Sequence, residues 1–352
     1  MMSGNNILNI NTIYLMMGFG CNFRCRHCIQ DGCEAAVIKA DLSDKVIDYI
    51  KYLIESRPEK MSKLRLMFWG GEPLLYWRII EKIISIFGDK LYYSMVTNGS
   101  LLTQEKVNYI NKHEINVALS YDGDNTDKVR NINILDNPVI LDLFKQIEYK
   151  SICAVSSAYN YDYQKLFDKV DSLLGEDVPV YIETITITWD MPKDLYNIPL
   201  LDYQNKLHKL AQQACKDILD LKITRASNFF LKYLQKLCST NKRRLECGQI
   251  YNTMNIDLQG NVYSCHNNCN KIGTVKDERF NLIANQDKWV NEKFSKACES
   301  CPYFIICNGG CPNELTYENT EKISCHINKV LYSEVCWLAN ELENSFEKVD
   351  LG

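Results

Sequence analysis

Cys21, Cys25 and Cys28 follow the first strand-like run with the spacing Cys-x3-Cys-x2-Cys. Thiolates hold iron–sulfur clusters one per iron, so a four-iron cubane asks for four cysteines. A compact loop that supplies three leaves one iron open to a small chelator. Taken alone, these residues also fit a zinc site, since Cys-x2-Cys pairs bind zinc, or thiols buried in a core. The chain holds 16 cysteines, and a second group occupies its last third: Cys247, Cys265, Cys298, Cys301, Cys307, Cys311 and Cys325. Zinc ribbons or the disulfides of a secreted protein would be the competing readings there. They fit poorly with an amino end, Met1 to Asn6, that carries no apolar signal segment, and with the lack of a stretch long enough to span a bilayer. The reading is a reduced, cytoplasmic protein.

The residues that could complete a site recur at the ends of apolar runs. Leu64 to Trp69 closes in Gly70-Gly71-Glu72-Pro73, Met95-Val96 closes in Thr97-Asn98-Gly99, and Val117 to Leu119 closes in Ser120-Tyr121-Asp122-Gly123. Glycine lets a backbone approach a ligand closely, and a carboxylate or carbonyl accepts hydrogen bonds from an ammonium group. Each turn alone is ordinary turn chemistry. Together they gather polar groups on one rim, because ligands of parallel α/β folds sit outside the carboxyl ends of the strands.

The elements that must position this rim alternate. Strand-like runs near 11–17, 64–69, 91–97, 115–121, 151–157 and 179–188 are separated by helical runs near 43–56, 76–88, 103–113, 136–149 and 161–174, which predicts α/β architecture with a parallel sheet. Helices from Leu200 to Leu221 and from Ala226 to Thr240 follow, then a hairpin turning at Gly260 between Asn255 and Tyr263, and an amphipathic tail from Ile327 to Lys348 that packs back on the helical pair. With 352 residues, 46% of them hydrophobic, the chain can bury one catalytic domain and a smaller second one. Its 40 basic and 44 acidic residues give no electrostatic case for nucleic acid or an anionic membrane.

The cysteine triplet followed in order by Gly70-Gly71-Glu72-Pro73, Thr97-Asn98-Gly99 and Ser120-x-Asp122-Gly123 resembles the radical S-adenosylmethionine (radical SAM) enzymes. The resemblance implies a partial (β/α)6 TIM-like barrel. It also implies a cluster on Cys21, Cys25 and Cys28 whose open iron is chelated by SAM, reductive cleavage of which gives a 5′-deoxyadenosyl radical. Gly70, Gly71, Glu72 and Pro73 would meet the SAM amino group, Ser120 and Arg130 its carboxylate or ribose, with Thr97, Asn98 and Asp122 as further contacts. Tyr121 and His27 read as packing residues.

The seven late cysteines resemble a SPASM domain with two auxiliary four-iron clusters, three in all. By that resemblance Cys247, Cys265 and Cys311 hold the first, and Cys298, Cys301, Cys307 and Cys325 hold the second. Cys269 could complete the first, or its iron stays open. Cys153, Cys215 and Cys336 read as core, while Cys33 and Cys238 stay unassigned. The implied organisation is a barrel over 1–190, a helical bridge over 191–245, the auxiliary-cluster domain over 246–326 and a last helix over 327–352.

What the resemblance implies for function is an oxidoreductase acting after translation, a peptide maturase that introduces thioether or carbon–carbon crosslinks into a ribosomally made precursor. An anaerobic sulfatase-maturing enzyme making formylglycine is the alternative, and a non-catalytic metal-binding or electron-transfer protein is the alternative of another class. His266 stands after Cys265, where sulfatase-maturing enzymes usually have an Asp, and an imidazole with a pKa near neutrality could take a proton there. Only 20 residues precede Cys21, too few for a leader-binding fold, so recruitment of the peptide falls to a separate leader-recognition protein or to the groove between the domains. A flavodoxin or ferredoxin-like donor would supply electrons.

Overall fold

The computed structural model describes residues 10–30, 41–188, 190–238, 252–314, 316 and 321–350, without the side chains of 346–350. Strands β1 (Thr12–Met16), β2 (Leu64–Trp69), β3 (Leu91–Thr97), β4 (Asn116–Ser120), β5 (Lys150–Ser156) and β6 (Val180–Thr184) pair in parallel with their sequence neighbours. Helices α1 (Asp44–Glu55), α2 (Trp77–Phe87), α3 (Gln104–Lys112), α4 (Thr126–Arg130), α5 (Pro138–Lys145) and α6 (Tyr163–Leu174) separate them. This is the (β/α)6 partial barrel, open because β6 ends the sheet without meeting β1.

Local chemistry explains the boundaries. Thr103, Asn137 and Asp162 cap α3, α5 and α6 by accepting backbone N–H groups of the first turn. Pro138 at the first position of α5 shortens the helix expected over 136–149, whose opening residues form a 3-10 turn instead. In α1, Val46, Ile50 and Leu53 make one buried stripe, and in α2 Ile80, Ile83, Ile84 and Phe87 do the same. These stripes belong to the core that covers one face of the sheet, which presents Ile13, Leu15, Leu66 and Phe68. Alternation turns Tyr14, Met67, Trp69, Ser120 and Cys153 to the other face, inside the barrel.

After the barrel come α7 (Leu200–Leu219) and α8 (Arg225–Cys238), then β7 (Thr253–Asp257), β8 (Asn261–Tyr263), β9 (Lys271–Thr274), α9 (Arg279–Lys293), α10 (Phe304–Cys307) and α11 (Cys325–Asp350). The hairpin of β7 and β8 turns at Gly260 with φ +82°, as the sequence predicts. Its placement is new: β7 pairs in parallel with β1, so one sheet runs β6-β5-β4-β3-β2-β1-β7-β8-β9. The loop that carries Cys265 and Cys269, between β8 and β9, therefore belongs to the same sheet as β1, which leads to Cys21. Helix α11 packs along α7 and touches α8. Its buried positions, Ile327, Leu331, Glu334, Val335, Leu338 and Leu342, form one stripe, and Cys336 falls off it. Cys336 is exposed, against its expected place in the core, while Cys153 and Cys215 are half-buried.

Candidate active site

The cysteine loop is seated by the glycines of the next strand end. The Gly71 N–H donates to the Gly18 carbonyl (3.0 Å), the Glu72 N–H to the Gly20 carbonyl (2.9 Å), and the Gly20 N–H to the Tyr76 hydroxyl (3.1 Å). A Cβ on Gly70 would stand 2.1 Å from the Gly18 carbonyl oxygen, and one on Gly71 would stand 2.3 Å from that of Gly20. The close approach that these glycines permit is made by the chain's own backbone.

The rest of the loop is tied down residue by residue. Asn98, at the end of β3, donates to the Asn22 side-chain oxygen (2.9 Å), and Asn131 donates to the Arg24 carbonyl (2.5 Å). The Arg26 N–H reaches the Val129 carbonyl in α4 (2.8 Å), while its guanidinium grips both oxygens of Asp194 (2.8 and 2.7 Å), which also accepts from the Tyr159 hydroxyl (2.7 Å). Cys21 and Cys25 are half-buried and Cys28 is exposed. Burial pushes the Cys25 thiol up to about 11, with Arg130 opposing and the other two cysteines adding to the rise. Bound metal reverses such a shift by deprotonating its thiols. Three thiols on one short loop, with Cys25 coupled to the other two and to the Arg130 guanidinium, fit the cluster that the sequence implies.

Four of the expected ligand contacts form a framework. Glu72 is 1% exposed, and its carboxylate accepts from Leu74 N (2.9 Å), the Thr97 hydroxyl (2.7 Å) and Asn98 N (2.8 Å). Thr97 Oγ1 in turn accepts from Gly99 N (3.0 Å). Asp122 is equally buried, holding Arg130 Nε (2.6 Å) and Nη2 (3.3 Å) on one side and Val155 N (2.7 Å) on the other. Glu72, Thr97, Asn98 and Asp122 thus knit the ends of β2, β3, β4 and β5 into one rim. Their oxygens are engaged within the protein, which makes them positioning groups. Pro73 opens the 3-10 turn that carries Tyr76 under the loop. Ser120 ends β4, half-buried, and the Arg130 guanidinium interacts electrostatically with Cys25. Tyr121 and His27 are buried, as read.

His266 lies stacked on Tyr14 with ring centroids 4.0 Å apart and edge-on to Trp69 at 4.6 Å. Burial pushes its pKa down to about 3, so the imidazole is neutral at ordinary pH. Burial disfavours the charged imidazolium, which weighs against His266 as a base. The ring instead completes an aromatic shelf on the inner face of the barrel.

In the carboxyl-terminal part, Cys298, Cys301, Cys307 and Cys325 line one cavity, together with Tyr303, Phe304, Lys322 and Tyr332. Among the described residues no three His, Cys, Asp or Glu side chains converge as a single metal ion requires. Four thiols around a cavity suit a larger inorganic core, and they are the four expected to share a cluster. Burial raises the Cys307 thiol, and a hydrogen bond from Tyr332 opposes it. Of the other set, Cys265 is buried, Cys311 half-buried and Cys269 exposed; an Asn268 to Asn313 hydrogen bond (2.9 Å) joins their loops. Cys247 lies outside the described residues, as does Cys33.

Residues 15–147 match the family model of the radical SAM superfamily. The chain carries a radical SAM domain. Over 357 residues it is 25% identical to the radical SAM cyclopropyl synthase TigE of Paramaledivibacter caminithermalis, covering 92% of this chain and 73% of that one. A cysteine-type anaerobic sulfatase-maturating enzyme of Clostridium novyi is 24% identical over 322 residues, 83% of this chain and 84% of the relative. Among solved structures, native anSMEcpe with bound AdoMet superposes with TM-score 0.69 at 18% identity, covering 95% of this chain and 99% of that one. Streptococcus suis SuiB bound to its precursor peptide SuiA gives 0.60 at 15% identity, over 90% and 76%. At these identities the structural likeness is one of fold.

The sequence pointed to this loop and rim. It gave no sign of the Arg26–Asp194–Tyr159 latch, whose members are scattered along the chain, nor of Lys322 among the late cysteines. Tyr76 had a local signal, three residues after Pro73 in the strand-end motif.

Proposed function

We propose that this chain is a SPASM-type peptide maturase that oxidatively crosslinks a ribosomally made precursor peptide, using three four-iron clusters and SAM. The observation that carries the reading is a pair of thiol sites, the loop of Cys21, Cys25 and Cys28 beside the strand-end rim and the cavity lined by Cys298, Cys301, Cys307 and Cys325. Cys21, Cys25 and Cys28 would hold the cluster that, with SAM and one-electron reduction, would supply a carbon radical able to abstract hydrogen from substrate.

The protein's own part is to orient. Gly70 and Gly71 keep the cysteine loop against the strand end, and backbone carbonyls there are the acceptors for the SAM ammonium, since the Glu72 carboxylate is engaged elsewhere. Arg130, fixed by Asp122, offers its free edge to the SAM carboxylate, and Ser120 lies on the inner face beside it. Tyr14, Trp69 and His266 give the substrate an apolar wall. The relatives support the reading: the name of one specifies a cyclopropyl synthase, and SuiB was solved with a precursor peptide. Flavodoxin or a ferredoxin-like protein is the proposed donor, and a separate leader-recognition protein the proposed recruiter.

Sulfatase maturation is the second reading, favoured by relatives of that name covering 83% of the chain. His266 separates the two, because its neutral, stacked ring replaces the Asp usual at that position in sulfatase-maturing enzymes. The test is anaerobic incubation of the iron-loaded enzyme with SAM, a reductant and the short peptide encoded beside its gene. Loss of two hydrogens per modified site supports crosslinking. An unchanged peptide, with a sulfatase peptide converted to formylglycine, overturns it in favour of the second reading.

A further inference from the structure

Lys322 is a buried lysine, 3% exposed, in the wall of the cavity formed by Cys298, Cys301, Cys307 and Cys325. Its ammonium donates to the Cys311 carbonyl. A Cβ built on Gly310 would lie 3.8 Å from both the Lys322 Nζ and the Cys307 Sγ, so the cation and a thiol both border the space beside Gly310. Gly310 has φ +68°, a conformation that side chains rarely adopt, and this lets the turn pass between them. Glu314, also buried, directs Oε1 to Ser324 N at 2.7 Å.

A buried ammonium held by a carbonyl is costly unless an anion faces it. Glu314, in the same cavity wall, faces it with one such charge; a four-iron cluster on four thiolates is a larger anion, and it gains one more negative charge on reduction. Nearby positive charge stabilises the reduced form more than the oxidised one, and net charge around a cluster is among the factors that set its potential.

Resting on the proposed assignment of this cavity to an auxiliary cluster, we infer that the Lys322 ammonium is that cluster's counter-charge and raises its reduction potential. Lys322 touches no substrate in this account. It is a positioning residue for charge, and the quantity it controls is a potential.

The test uses Lys322→Met, Lys322→Gln and Lys322→Arg in a Cys21→Ala/Cys25→Ala/Cys28→Ala background, which removes the SAM-site cluster. Iron and labile sulfide are counted, and a reductive titration is followed by electron paramagnetic resonance. The neutral variants are expected to change the reduced-to-oxidised ratio at fixed potential by about tenfold or more, a midpoint lowered by about 59 mV for one electron. Lys322→Arg is expected to stay near the parent. A parent-like midpoint in the neutral variants, or an Arg variant that shifts as far as Met, overturns the inference. If both neutral variants lose the iron, retention in Lys322→Arg supports the counter-charge and loss there too overturns it. A Cys298→Ala/Cys301→Ala pair with undiminished iron would instead show that no cluster occupies the cavity, a failure of the underlying assignment.

Discussion

Glu72 accepts three hydrogen bonds at the junction of two strand ends, from Leu74 N, Thr97 Oγ1 and Asn98 N. Burial raises its pKa and these donors oppose the rise, so each donor that keeps the carboxylate ionised is also one that fixes β3 to β2. The spacing of Gly70-Gly71-Glu72-Pro73 announced a functional strand end, but sequence could not say whether the carboxylate faces a ligand or the fold. That depends on Thr97 and Asn98, which lie 25 and 26 residues away. His266 carries the same lesson. Its place after Cys265 was legible, whereas its stacking on Tyr14, more than 200 residues distant, was not. A general base contributes about 10²–10⁴-fold to rate. His266→Phe keeps the aromatic shelf without a titratable nitrogen, so product formation and SAM cleavage are both expected to stay within about tenfold of wild type; a loss of about 10²-fold or more in product alone would restore the base.

At the scale of elements, the order and type of the six barrel strands were legible because each is a short, largely apolar run bounded by turn residues. The helices α7, α8 and α11 also begin and end within two residues of their expected bounds. What local pattern could not reveal is partnership. Thr12 to Met16 pairs with Thr253 to Asp257, and nothing in either run names the other. Helix α9 escaped notice for a different reason: two of its four buried residues, Arg279 and Gln286, are polar, which breaks the apolar stripe. The junction of β2 with the cysteine loop makes the sharpest demand on an element. Gly71→Ala places a Cβ against the Gly20 backbone oxygen, which cannot move without moving Cys21. Overpacking of this kind costs about 1–3 kcal/mol. The expected outcome is a lower urea midpoint and reduced iron per chain, and a variant with wild-type values for both would show that the loop is not seated as described.

The whole molecule joins its two cysteine-bearing parts through one sheet, with β1 shared between the barrel and the late hairpin. The resemblance read from sequence treats those parts as separate domains with boundaries near 190 and 246, and the shared sheet means that both contribute to one hydrophobic core. Among the described residues, no helix is long and apolar enough to cross a membrane. The central claim is that Cys21, Cys25 and Cys28 hold a cluster at which SAM is reductively cleaved. The most direct measurement is 5′-deoxyadenosine formed from SAM under anaerobic reduction, by the iron-loaded wild type and by Cys25→Ala. Release by the wild type and its loss in Cys25→Ala is the predicted result. An iron-loaded wild type that releases none, or a Cys25→Ala variant that releases as much, would contradict the account.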